Sequence, residues 1–169
     1  MKQTKPLVMK KLVLIIFFLI SLTTFSQKTD FWDNVKFGGG FTLGFGNNQT
    51  TIGISPSAIY NFDNGFALGA GLGYLYSEIN DFSTTAYSTS ILSLYQTNFN
   101  VQLSGELEYY FAKQQIQGSN SFNSNFPALH LGVAYNQGRF AVGIRYDVLY
   151  DENKSVFASP ISPVVRFYF

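Results

Sequence analysis

Residues 35–46 read VKFGGGFTLGFG. Alternate positions set Val35, Phe37, Phe41, Leu43 and Phe45 on one face and Lys36, Gly38, Gly40, Thr42 and Gly44 on the other. A strand sends successive side chains to opposite sides, whereas a helix repeats about every 3.6 residues. The stretch is therefore a strand with one bulky apolar face and one small or polar face.

The pattern recurs along the chain. After Asn47 and Asn48, the next strand sets Ile52, Ile54, Pro56, Ala58, Tyr60 and Phe62 against Thr51, Gly53, Ser55, Ser57 and Asn61, with Ile59 out of phase. Asp63, Asn64 and Gly65 turn the chain, because Asn and Gly tolerate the positive φ of tight hairpins. Residues 66–77 form a third strand, and residues 88–97 a fourth, where adjacent Ile91 and Leu92 blur the facing and suggest a bulge. Residues 101–112, 127–136 and 140–150 continue the series. A last strand ends at Phe169, with Phe157, Ile161, Val165, Phe167 and Phe169 on one side. Polar loops are expected at 78–87 and 113–126, and a short turn at 151–154.

Eight strands of about ten to twelve residues suit a barrel, and the two faces identify its solvents. A soluble barrel normally exposes many Lys, Glu and Arg. Here the polar face is mostly Gly, Ser, Ala and Thr, and only 12% of the chain is charged. Small residues fit a crowded interior. The other face is aliphatic at mid-strand with Phe and Tyr toward the ends, the pattern of a lipid-facing surface with aromatic girdles. Such strands are long enough to cross hydrocarbon, and closure removes the unpaired edges that lipid cannot satisfy. The expected fold class is all-β: an eight-stranded antiparallel up-and-down transmembrane β-barrel.

Residues 1–26 read as a cleaved signal peptide. Lys2, Lys5, Lys10 and Lys11 precede an apolar run from Leu12 to Leu22, and Thr24, Phe25 and Ser26 offer a cleavage site before Gln27. The apolar run is too short to span a bilayer as a helix. Removing it leaves seven basic against ten acidic residues, a formal charge of −3. Residues 27–34 become a short periplasmic segment and 35–169 the barrel. The chain has no Cys, which excludes disulfides, thiolate chemistry and a Cys-borne lipid anchor. No clustered Lys and Arg mark a nucleic-acid footprint. Phosphate-loop, nucleophile-elbow and zinc-protease motifs are absent, and His130 is the single histidine. No cofactor is implied, and a non-enzymatic protein is expected.

The Gly-rich alternating hairpins, the signal peptide and the terminal VVRFYF of residues 164–169 resemble the small eight-stranded outer-membrane barrels of the OmpX/OmpA type in Gram-negative bacteria. The resemblance implies outer-membrane lipids as surroundings. It also implies that the assembly machinery reads the last strand, where Val165, Phe167 and Phe169 occupy the matching places. Short loops after strands one and seven, and the lack of an appended peptidoglycan-binding domain, set the chain apart from close functional relatives.

Two sets of residues are candidates for function. Lys36, Glu106, Glu108, His130, Arg145, Asp147 and Arg166 fall on the inward face. They should pair as an ionic layer that plugs the lumen, since buried charges need partners. On that count Glu106→Gln is the natural compensation for loss of Arg145. The second set lies on the two longer loops, which would be extracellular: Phe82 and Tyr87 on one, Phe122 and Phe126 on the other, offered to a ligand or protein. The expected role is structural or cell-surface interaction. A lipid-modifying enzyme is the alternative, and a narrow channel the third.

Overall fold

The computed structural model describes residues 30–46, 49–79, 82–116, 121–152, 154–157 and 159–169. The signal peptide and the cleavage site lie outside these residues. A short helix, α1 (Asp30–Asp33), belongs to an amino-terminal unit ending at Asp33, and the strands form a second unit from Asn34 to Phe169.

That second unit is a closed antiparallel barrel in simple sequence order. Its strands are β1 (Val35–Gly46), β2 (Gln49–Asn61), β3 (Phe66–Ile79), β4 (Phe82–Gln96), β5 (Val101–Ile116), β6 (Phe122–Gln137), β7 (Phe140–Asp147) and β8 (Ile161–Tyr168). Closure is made by β1 against β8, from Gly38 opposite Tyr168 to Phe41 opposite Val165. Phe37 and Phe169 extend the seam by exchanging two main-chain hydrogen bonds, 3.2 and 3.0 Å. Three tight turns, β2–β3, β4–β5 and β6–β7, share one end, and each holds one left-handed residue: Gly65, Asn100 and Gly138.

The alternation holds throughout. Phe41, Ile54, Leu68, Leu72, Ile91, Leu103, Leu107, Leu131 and Val142 are exposed on the outside. Aromatic side chains flank this aliphatic band, with Phe66 and Tyr95 near the short turns and Tyr74, Tyr87 and Tyr109 toward the other end. Phe66 and Tyr74 stand roughly 26 Å apart along β3 at about 3.3 Å per residue. No bulge interrupts β4; its pairing with β5 is continuous, Ile91 faces out and Leu92 is buried within.

The expected long loops are replaced by strand. β4 begins at Phe82, β5 runs to Ile116 and β6 starts at Phe122, so β4 to β6 rise as a wall well beyond β7 and β8. The outer face of that extension is polar, with Ser83, Thr85, Lys113, Gln115, Asn123 and Asn125, so its sequence loses the apolar alternation while the backbone ladder continues. β6 outruns β7, whose pairing starts at His130. The Leu129 amide and carbonyl both point toward β7, to Asp147 and Val148. By alternation Asn123, Asn125 and Pro127 turn the same way, onto an edge that no described strand covers.

The β7–β8 connection corrects another expectation. β7 stops at Asp147, and Phe157 is not an outward residue of the last strand. After a turn at Asp151 to Ser155, closed by hydrogen bonds from Lys154 and Ser155 to the Asp151 carbonyl, the chain dips so that Val156 and Phe157 are buried in the barrel mouth. There they pack with Leu75, Ala86, Tyr110, Ala112, Phe126 and Ala128. A smaller apolar group, Ile59, Ala67, Leu92 and Leu94, lines the opposite half of the lumen beside Tyr168.

Candidate functional site

Between those two apolar zones lies the charged layer. β5 contributes Glu106 and Glu108 on successive inward positions, β6 His130, β7 Arg145 and β8 Arg166; every one is buried. Arg145 is the hub. Its guanidinium lies 3.5 Å from Glu106 and 3.8 Å from Glu108. Nε donates to Ser162 Oγ at 3.2 Å and Nη2 reaches Thr42 Oγ1 at 3.5 Å, so one side chain ties β7, β8, β1 and β5 together. Arg166 meets Glu106 at 3.8 Å from the other side. Glu108 accepts hydrogen bonds from Ser88 Oγ and, at 2.7 Å, from Tyr110 Oη, and His130 Nε2 stands 3.4 Å from its Oε2. Phe157 roofs the layer, with Arg145 Cζ 5.6 Å from its ring centre.

Such a layer costs water contacts that must be replaced, because an ion taken from water without a partner is strongly unfavourable. Here each carboxylate has a cation, and Glu108 has two hydroxyl donors besides. The space left between Thr42, Leu75, Ser88, Glu108, Tyr110 and Arg145 is about 10 Å³, around the least that admits a single water. Small residues make this packing possible. A side chain on Gly73 would run into the Ser88 hydroxyl and press on Glu108.

Five of the seven inward candidates are brought together: Glu106, Glu108, His130, Arg145 and Arg166. Two are not. Asp147 is buried, but its Oδ1 accepts from the Leu129 and Leu149 amides, at 3.2 and 3.0 Å, and it holds the β7 end instead of pairing with an arginine. Lys36 is exposed and forms no ion pair among the described residues; it lies at the short-turn end of the lumen, where β1 begins. Tyr110, Ser88 and Phe157 are site residues that the sequence reading missed. The inward phase of Glu106 and Glu108 extends to Tyr110, so alternation could have found it. Phe157 sits in a connection, where no period exists to place it.

The loop candidates also move. Tyr87 lies in β4 on the outer surface, 61% exposed and packed against Tyr74 with ring centres 5.4 Å apart. Phe126 is buried in the mouth and stacks on Tyr110 at 5.2 Å. Phe122 shares the inner face of β6 with Phe126 but stands at the rim, about half exposed. Phe82 opens β4 opposite Ile79 and Ile116; its side chain lies outside the described residues. Val165, Phe167 and Phe169 sit on the outer side of the closing seam, with the Phe167 ring 4.7 Å from Phe140 and 5.3 Å from Phe169.

Among the described residues no group of three His, Asp or Glu could hold a metal ion. His130 points into the barrel, away from any acyl chain that would lie against the outer wall.

The resemblance to small eight-stranded outer-membrane barrels holds in strand number, antiparallel order and closure. No protein-family model matches the chain, and no curated protein matches it. Among solved structures it is similar to Neisserial surface protein A (NspA), at 14% identity and a TM-score of 0.48, covering 80% of this chain and 96% of that one. It is also similar to Ail, the attachment invasion locus protein of Yersinia pestis, at 17% identity and a TM-score of 0.46, covering 79% and 92%. The fold stands on the chain's own strand pairing, independently of either likeness.

Proposed function

We propose that this protein is a non-enzymatic outer-membrane barrel of a Gram-negative bacterium, exported by the signal peptide of residues 1–26, with a plugged lumen and a structural or cell-surface interaction role. The observation that carries this reading is the pairing of opposites. An apolar, aromatic-edged exterior encloses an interior crossed by the paired Arg145 layer, where the gap among Thr42, Ser88, Glu108, Tyr110 and Arg145 is about 10 Å³. In that orientation the three tight turns face the periplasm and the β4–β6 wall stands outside the cell. The outer side of the wall carries Ser83, Thr85, Lys113, Gln115, Asn123 and Asn125 around a shallow groove, which suits a polar protein or glycan surface better than lipid.

Two measurements test this. The chain folded in detergent should migrate differently on a gel before and after boiling, and planar bilayers containing it should show no steady conductance. Identical migration together with a detergent-free soluble monomer would remove the membrane reading. Regular ion-selective openings would replace the plug with a channel.

The terminal strand supplies a separate prediction. The Phe169 side chain is 64% exposed and its ring centre lies 5.3 Å from that of Phe167, while its main chain completes the seam. Phe169→Ala should therefore lower the amount assembled in the outer membrane several-fold yet leave the urea midpoint of the detergent-folded barrel almost unchanged. Equal losses in both would make Phe169 a packing residue and not an assembly signal.

A further inference from the structure

The lumen is closed under Phe157 but open at its other end. There, inside the ring of short turns, a vestibule of about 570 Å³ is lined by Lys36 from β1, Arg139 from the β6–β7 turn and Arg166 from β8, with no Asp or Glu side chain among its lining residues. We propose that this vestibule binds a small organic phosphate, with Arg166 as its anchor.

Arg166 carries the argument. It is only 4% exposed, its Nη2 lies 3.8 Å from Glu106, and its Nη1 is buried with no hydrogen-bond partner. A guanidinium donor withdrawn from water and left unpaired is costly, and native structures seldom leave one so without a ligand or water to receive it. Glu106 already serves Arg145 and Arg166, so the balanced charges stop at that layer; among the described residues Lys36 and Arg139 form no ion pair, and the side chains lining the vestibule carry net positive charge.

The geometry favours phosphate over carboxylate. A single arginine fork satisfies a planar carboxylate, whereas a phosphoryl group offers oxygens in several directions to cations that come from three elements. The body of the ligand has a place as well. Ile59, Ala67 and Leu94 give the facing wall an apolar patch, so a phosphomonoester with a ring or short aliphatic part fits better than bare phosphate. Because the vestibule opens along the barrel axis and not through its wall, the source is a dissolved molecule and not the headgroup of a surrounding lipid. The inference does not depend on which compartment that end faces.

Titration calorimetry on the full chain in a non-ionic detergent, at low salt, is the test. Phenyl phosphate should bind, inorganic phosphate more weakly, and both more weakly as salt screens the charges. Arg166→Gln can disturb folding through Glu106, so Lys36→Gln/Arg139→Gln is the informative variant. Both residues are exposed, and the double variant should keep the parent's unfolding midpoint while losing about tenfold or more in affinity, as expected for removing hydrogen bonds to a charged group. No heat with either phosphate, or affinity unchanged in the double variant, overturns the site. Binding confined to bilayer discs containing phosphatidylglycerol, with none to phenyl phosphate, overturns it in favour of a lipid headgroup.

Discussion

Arg145→Ala is expected to destabilise the folded barrel by about 3 to 5 kcal/mol, the usual consequence of leaving buried charge without its partner. Arg145 is the cation that Glu106 and Glu108 share. Once it is gone Glu106 still has Arg166 at 3.8 Å, so the loss falls on Glu108, which keeps His130 at 3.4 Å but no arginine. Counting along the strands favours Glu106 as the compensating position; the contacts move it to Glu108. Glu108→Gln in the Arg145→Ala background should restore part of the loss, since the amide oxygen can accept from one of the Ser88 and Tyr110 hydroxyls and the amide NH2 can donate to the oxygen of the other. Glu106→Gln should restore less, because it strands Arg166. Urea unfolding of the detergent-folded parent, the single variant and both doubles reads the order directly. An Arg145→Ala barrel as stable as its parent would mean that water, not pairing, supports these ions.

Phe157→Ala should come next in size. Truncating a buried phenylalanine typically costs about 3 to 5 kcal/mol, from lost burial and the cavity left behind. Phe157 is nearly enclosed, with Tyr110 and His130 rings 6.3 and 6.4 Å away. Its removal would also admit water above Arg145, and the attraction within each ion pair falls as the local dielectric rises. Phe157→Leu, which keeps most of the volume, should cost far less. The same unfolding assay separates them, and hydrogen exchange of the Val156 and Arg145 amides should quicken in the alanine variant alone. A change under about 1 kcal/mol, below the usual range for a large core truncation, would show that the connection rests on the mouth without closing it.

How far the molecule could be read from its sequence depended on where its two faces meet different surroundings. Along β1, β3 and β5 to β8 one side is apolar and the other small or polar, and both strand and facing are legible; the inward placement of Glu106, Glu108, His130, Arg145 and Arg166 followed from that alone. Above the aliphatic band the contrast disappears. Ser83, Thr85, Lys113, Gln115, Asn123 and Asn125 face outward from regular strands, yet their polarity reads as loop. Alternation also reports facing without height, which is why Lys36 was placed in a layer that it stands below. Asp147 carries the right charge in the right phase, but two backbone amides claimed it. Phe157 shows the remaining limit: a residue delivered by a connection is positioned by tertiary packing alone, with no local period to announce it.

The uncovered stretch of β6 bears on how one copy of the chain meets another. A free strand edge is a template on which a second chain can zip, and a wall rising clear of the aliphatic band would present one to every neighbour. Three residues, Asn123, Asn125 and Pro127, turn their main-chain groups onto that edge. Pro127 has no amide to give, so the run of donors is broken next to the barrel body. What remains is the short pair of asparagines at the tip, too brief to nucleate a ladder. The sequence thus blunts the edge that its tallest described strands leave open.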